Sequence, residues 1–232
     1  IARNFSAVVI SINGSVTDMR RSLPRSLKPS SRLVTQSGWD WLLPCRGSAL
    51  HAAACMMQVV NLQSLDHPEL APYRTLRRME EHRRQGLVVV EGEKTVVRLL
   101  ESQLGVISLL ITPDKLARLS PLVVRRPELI RAFVVPKEVL NQLTGFTVFQ
   151  GILAVARIPP APSLASLLAS SPQPWLLVAV EGISGADNLG VIVRNCAALG
   201  ATGLLVGETA CSPWLRRAVR ISMGAVFKLP IL

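Results

Sequence analysis

Between Trp175 and Val206 the sequence runs from an apolar stretch through a glycine-rich turn and an amphipathic helix into a second apolar stretch. Trp175–Val180 reads as a buried strand, Glu181–Asn188 as the turn, Leu189–Leu199 as the helix and Thr202–Val206 as the next strand. Parallel neighbours in a sheet need a crossover of this kind, so the segment predicts a parallel sheet. Pro213–Val219 reads as a further helix and Ala225–Leu229 as a further strand.

Upstream the same alternation recurs. Tyr73–Gln85 is polar, dense in Arg and Glu, and helix-friendly; Leu87–Val90 is a short buried strand; Gly92–Gln103 is a helix. Val106–Ile111, Ala132–Val135 and Thr147–Ala156 follow as strands, with a short helix opening at Pro136. This is an α/β pattern. The Pro- and Ser-rich stretch at 158–174 favours extended backbone and is read as a linker. It separates 57–157 from 175–232. Residues 1–56 form a leader with 7 basic and 2 acidic residues and no sustained period. An acid-poor, Arg- and Ser-containing leader fits an organellar transit peptide. Upstream sequence translated in frame, with the start at Met56 or Met57, is preferred, and the leader is expected to be poorly ordered.

Charge narrows the partner. With 26 Lys+Arg against 15 Asp+Glu, the net charge is +11, which suits a polyanion or serves solubility alone. The longest apolar runs fall far short of the roughly 20 residues a membrane helix needs. Four cysteines and three histidines are scattered without metal-ligand spacing.

The most informative stretch is 187–200, DNLGVIVRNCAALG. At a period of 3.6, Leu189, Ile192, Val193, Cys196 and Leu199 form one apolar stripe suited to packing on a sheet. Gly190, Arg194 and Ala197 share another face, where small neighbours leave room for something large to approach Arg194. Asn188 lies at the helix entrance, as an N-cap or a functional amide, and Gly200 at the exit as a left-handed cap. A dinucleotide site is an alternative, with Glu208 as the ribose-binding acid. However, Gly182, Gly185 and Gly190 lack the G-x-G-x-x-G spacing.

Asn188-Leu-Gly190 with Arg194, Ala197, Ala198 and Gly200 resembles the first signature of the SpoU (TrmH-type) RNA ribose 2′-O-methyltransferases of the SPOUT class. Arg220-Ile-Ser222-Met-Gly224-Ala225, with Phe227 and Leu229-Pro230, is similar to that family's next segment. Glu91-Gly92-Glu93-Lys94 and 133–157 resemble its substrate-binding domain, with Phe149 where many relatives have histidine. The likeness runs from about Tyr73 to Leu232.

The resemblance implies a small ribosomal-protein-like α/β RNA-binding domain followed by the N-terminal part of a parallel-sheet, trefoil-knot methyltransferase domain. It implies methyl transfer from S-adenosylmethionine to a ribose 2′-hydroxyl of tRNA or rRNA, in a homodimer when full length and in the cytoplasm, or an organelle if the leader is a transit peptide. Arg194 and Asn188 would be catalytic. Arg77, Arg78, Arg83, Arg84, Gly190 and Ser222 would meet RNA, with Arg125-Arg126 and Arg216-Arg217 as further basic pairs; Ser222 could instead cap a turn. The cofactor pocket is expected from motifs beyond Leu232, so residues 1–232 alone are expected not to bind the donor saturably. A non-catalytic RNA-binding module is the alternative from a different class.

Overall fold

The computed structural model describes residues 6–12, 57–76, 78–144 and 151–232. In chain order the elements are β1 (Ser6–Ile12), β2 (Met57–Asn61), α1 (Ala71–Arg74), α2 (Met79–Arg84), β3 (Leu87–Glu91), α3 (Glu93–Leu100), β4 (Val106–Ile111) and α4 (Pro113–Val123). There follow β5 (Ile130–Val134), α5 (Lys137–Thr144), β6 (Ile152–Arg157), α6 (Leu164–Ser170), β7 (Trp175–Glu181), α7 (Ala186–Ala198), β8 (Gly203–Val206) and α8 (Arg216–Ile221). The fold is mixed α/β.

The first half is a five-stranded sheet in the order β2-β5-β4-β6-β3, parallel across β2, β5 and β4 and antiparallel across β4, β6 and β3. Strands β3, β4 and β6 are apolar on both faces because both faces are covered, whereas the edge strand β2 is largely exposed. Alternate side chains go opposite ways: Val88, Val90, Leu109, Ile111 and Ala154 join one core, and Val89, Leu110, Leu153 and Val155 the other. In the second core Tyr73 is fully buried and its hydroxyl meets Ser108 Oγ at 2.8 Å, while burial pushes its ionisation well above the ordinary range.

The second half is a three-stranded sheet, β1-β7-β8, with β7 and β8 parallel across the α7 crossover. Ile231 bridges to Leu204 in parallel on the far side of β8, fixed by Leu204 N–H to Pro230 O (2.9 Å) and Leu232 N–H to Leu204 O (2.9 Å). The first core is continuous between halves. Val88, Val90 and Val96 share it with Leu189, Val193, Val219 and Phe227.

Several elements differ from the sequence reading. Within the leader, Ser6–Ile12 forms β1, antiparallel to β7; the rest of 1–56 lies outside the described residues. Tyr73–Gln85 is two short helices rather than one. The linker carries α6, because Ser163 Oγ caps it by accepting from Ser166 N–H (3.1 Å) and its apolar side packs, with Leu167 and Leu168 beside Trp175 and Leu177. Ala225–Leu229 is not a strand. Left-handed Gly224 (φ 78°) turns the chain into a 3-10 helix at Ala225–Phe227, so Val226 and Phe227 are buried in consecutive positions. The strand expected over 147–156 begins at Ile152, and 145–150 are outside the described residues.

Candidate active site on the crossover helix

Helix α7 begins one turn earlier than its apolar period suggests, with Gly185 at the N-cap position. Asn188 is therefore inside the first turn and exposed, not the cap. The stripe predicted for the sheet is confirmed at Leu189 (0% exposed), Val193 (1%) and Cys196 (5%). Leu199 is the correction, at 77% exposed. It is the C-cap residue, and left-handed Gly200 (φ 73°) turns the chain toward β8 before another turn can form.

Gly190 does not hold space for a substrate. It is buried, and a Cβ there would sit 2.7 Å from Ala218 O and 2.8 Å from Ile221 Cβ. Its missing side chain lets α8 cross α7 at close range. Arg194, one turn on, is exposed and has no ion pair among the described residues. Near the start of α7, Asp187 holds Arg217 of α8 in a two-point fork, Nε to Oδ1 and Nη2 to Oδ2, both 2.5 Å. That fork raises the arginine's already high pKa.

At the carboxyl ends of β7 and β8, Glu181 accepts from Gly182 N–H (3.1 Å), Thr209 N–H (3.2 Å) and the Thr209 hydroxyl. The hydroxyl bond, then the Gly182 N–H, hold its carboxyl below the usual range. The carboxylate fills the space over Gly207, where a Cβ would overlap Oε2. Sequence reasoning missed this glutamate; its place at the end of a parallel strand is the signal that could have marked it.

Burial decides two of the candidate RNA contacts, and for Ser222 it supports the turn-capping reading. Ser222 is 1% exposed and donates to Val219 O (2.8 Å), so it closes the last turn of α8 instead of meeting substrate. Arg126 is 8% exposed, and all five of its N–H donors bind Leu100 O, Ser102 O, Leu104 O and Glu128. Its neighbour Arg125 is exposed. In the α2 region Arg78 pairs with Glu81 at 3.6 Å, Arg83 and Arg84 are exposed, and Arg77 is outside the described residues. Arg83 lines a small cleft with Trp214, Leu215 and Arg216, so α2 meets the start of α8. Larger cavities lie elsewhere: about 470 Å³ beside Lys94, Arg98 and Arg118, and about 350 Å³ between 159–162 and 226–231.

A five-stranded α/β half, followed by a parallel crossover whose helix carries one open arginine, makes a two-part α/β chain. Residues 175–232 match the SpoU rRNA Methylase family, and residues 89–162 match the RNA 2′-O ribose methyltransferase substrate-binding family. The chain belongs to the SpoU family.

An uncharacterized tRNA/rRNA methyltransferase of Mycobacterium bovis is 34% identical over 170 residues, 71% of this chain and 57% of that protein. A 23S rRNA (adenosine(1067)-2′-O)-methyltransferase of Streptomyces laurentii is 33% identical over 104 residues, 44% of this chain and 37% of that one. This chain thus spans a little over half the length of the first relative. The crystal structure of an AdoMet-bound rRNA methyltransferase from Sinorhizobium meliloti aligns with a TM-score of 0.61 at 25% identity, over 75% of this chain and 64% of that one. A SpoU methyltransferase from Streptomyces viridochromogenes aligns at 0.56 and 23% identity, over 72% and 61%, which speaks for the fold alone. The dinucleotide alternative loses its footing, since Gly190 is consumed by helix packing and the segment that holds its glycines and Glu208, 175–232, matches the SpoU rRNA Methylase family.

Proposed function

We propose that the protein carrying this chain transfers a methyl group from S-adenosylmethionine to a ribose 2′-hydroxyl of tRNA or rRNA, with Arg194 and Asn188 at the reacting sugar. The observation that carries this is Arg194, exposed and without an ion-pair partner among the described residues, on the crossover helix of a chain with both SpoU-family segments. The relatives' names support RNA as substrate, and an AdoMet-bound neighbour supports the donor.

The donor supplies an electrophilic methyl carbon when bound. At the ends of β7 and β8 the described residues place the Glu181 carboxylate over Gly207. The chain's own part concerns the acceptor. In-line attack requires the ribose oxygen to be held in position while its proton departs. A neutral arginine is an expensive base, because a guanidinium gives up its proton only far above neutral pH. Arg194 instead offers a planar fork to the phosphate next to the reacting ribose and stabilises charge developing on the 2′-oxygen. Asn188, nearer the start of the same helix, orients that sugar through its exposed amide. Exposed Arg83 and Arg84 contribute phosphate attraction from the first half. A homodimer with the site at the subunit interface, in the cytoplasm, completes the reading.

The test is transfer of label from methyl-tritiated S-adenosylmethionine to RNA, with the modified position located by resistance to alkaline cleavage. Arg194→Lys keeps the charge and loses the fork, so turnover should fall by on the order of 10²-fold or more with little change in RNA affinity. Retained turnover removes Arg194 from the chemistry. RNA binding with no label transferred by the parent protein favours the non-catalytic binding module.

A further inference from the structure

The side chain of Glu91 ends the edge strand β3 and is 3% exposed, yet among the described residues its carboxylate has no cation from its own half. Both cations come from α8: Arg216 Nη1 at 2.5 Å on Oε2, and Arg220 Nη1 at 3.7 Å on Oε1. The two arginines are four residues apart and so share one face of that helix. A second tie lies one turn on, where the Arg98 guanidinium of α3 donates to Met223 O just past the end of α8. Gly224 lets the backbones meet there, since a Cβ would lie 3.2 Å from Arg98 Cβ. On its opposite side α8 rests on Gly190 of α7, through Ala218 and Ile221.

We infer that Glu91 is a positioning residue: it clamps α8 to the first half, and through the α8–α7 contact it sets Arg194 at a fixed place relative to the basic residues of that half. Two observations favour a clamp over a local surface pair. A buried carboxylate is costly unless its partners stay, so the closed arrangement is strongly preferred to an open one. The 158–174 stretch is rich in proline and serine, so the orientation of the two halves rests on contacts between them, the shared apolar core together with the charged contact to α8. With the halves held together, one RNA engages both at once, and the second contact benefits from the high effective concentration set by the first. The RNA consequence rests on the function proposed above, whereas the clamp does not.

The experiment uses the whole chain. Calorimetric unfolding of the parent should show one cooperative transition spanning both halves. Glu91→Gln keeps the shape and removes the charge, and it should split that transition into two; Arg220→Gln, at a half-exposed position, should do so partially while folding normally. Glu91→Asp should restore part of the coupling. A double-variant cycle between Glu91 and Arg216 should return a coupling on the order of 10²-fold in the folding equilibrium. A single undivided transition in Glu91→Gln, together with a coupling near unity, overturns the clamp whatever RNA does. Separately, Glu91→Gln should weaken binding of a structured RNA by about 10- to 100-fold and leave an oligonucleotide too short to reach both halves unchanged. Split transitions with equal affinity for both RNAs would keep the clamp and remove the proposed use of it.

Discussion

Arg125 and Arg126 are adjacent, equally charged and opposite in fate, which makes them a sharp test of how the basic pairs of this chain should be read. Arg126 spends all five donors inside the protein, on three backbone carbonyls and on Glu128 Oε1. Those carbonyls belong to Leu100, Ser102 and Leu104, at the end of α3 and just past it, where a helix leaves acceptors unsatisfied. A hydrogen bond from a charged donor is worth roughly 1.5–3 kcal/mol, and an orphaned buried acceptor costs about 1–3 kcal/mol. Water entering the space left by Arg126→Ala recovers part of that, so we expect a net loss of about 3 kcal/mol. For a chain of this size each kcal/mol shifts Tm by about 2–4 °C, giving a fall of roughly 6–12 °C.

Arg125→Ala removes the same charge from an exposed site and should stay within about 0.5 kcal/mol of the parent. Thermal and urea unfolding followed by circular dichroism read both variants. Glu128 gives a second readout: burial raises its pKa, but the Arg126 bonds and the Val106 N–H more than reverse that, so losing Arg126 should raise it. RNA titrations at several salt concentrations complete the comparison. Removing an arginine that binds phosphate makes the salt slope shallower by about one. An Arg126→Ala protein as stable as the parent, with its salt dependence weakened by that amount, would refute this assignment.

Gly190→Ala should destabilise despite the better helix former. The close contacts with Ala218 O and Ile221 cost about 1–3 kcal/mol of overpacking against a propensity gain of about 1 kcal/mol, and a raised urea midpoint would contradict the close crossing. His82 is buried with Nε2 at 2.8 Å from Thr75 Oγ1, and desolvation, only partly opposed by Glu81, lowers its pKa from the ordinary 6.5. A histidine whose folded pKa lies below its unfolded value contributes stability that is complete above about pH 6.5 and is lost as pH falls through the folded value. The urea midpoint should therefore drop between pH 7.5 and 5, and His82→Gln should flatten that drop. An unchanged slope in the variant would assign the acid sensitivity to other groups.

The family assignment shows what local pattern can carry. Asn188, Gly190, Arg194 and Gly200 stand at fixed spacings on a helix whose buried stripe follows a 3.6 period, so the crossover, its strands and the open arginine are all readable in one dimension. The five-stranded half is legible for a similar reason: runs such as Leu87–Val90 and Val106–Ile111 have no polar alternation, which marks strands covered on both faces.

Burial and partner choice are not readable in this way, because both depend on residues distant in sequence. Gly190 reads as an opening and is a helix contact, since α8 comes from nearly thirty residues further on. Ser222 reads as either a substrate group or a turn cap and Arg126 as one of a basic pair, and the fold satisfies Ser222 with a backbone carbonyl and Arg126 with carbonyls and Glu128. Glu91 reads as one letter of a motif, and only the packing of α8 on β3 gives it two arginines 125 and 129 positions away. Sequence periodicity by itself determined the crossover strands and helix, most strands of the five-stranded half, and which helix carries the exposed cation. Only the tertiary structure decided which charges are spent inside the protein and which remain exposed, because the cost of desolvating a charge is set by what folds over it.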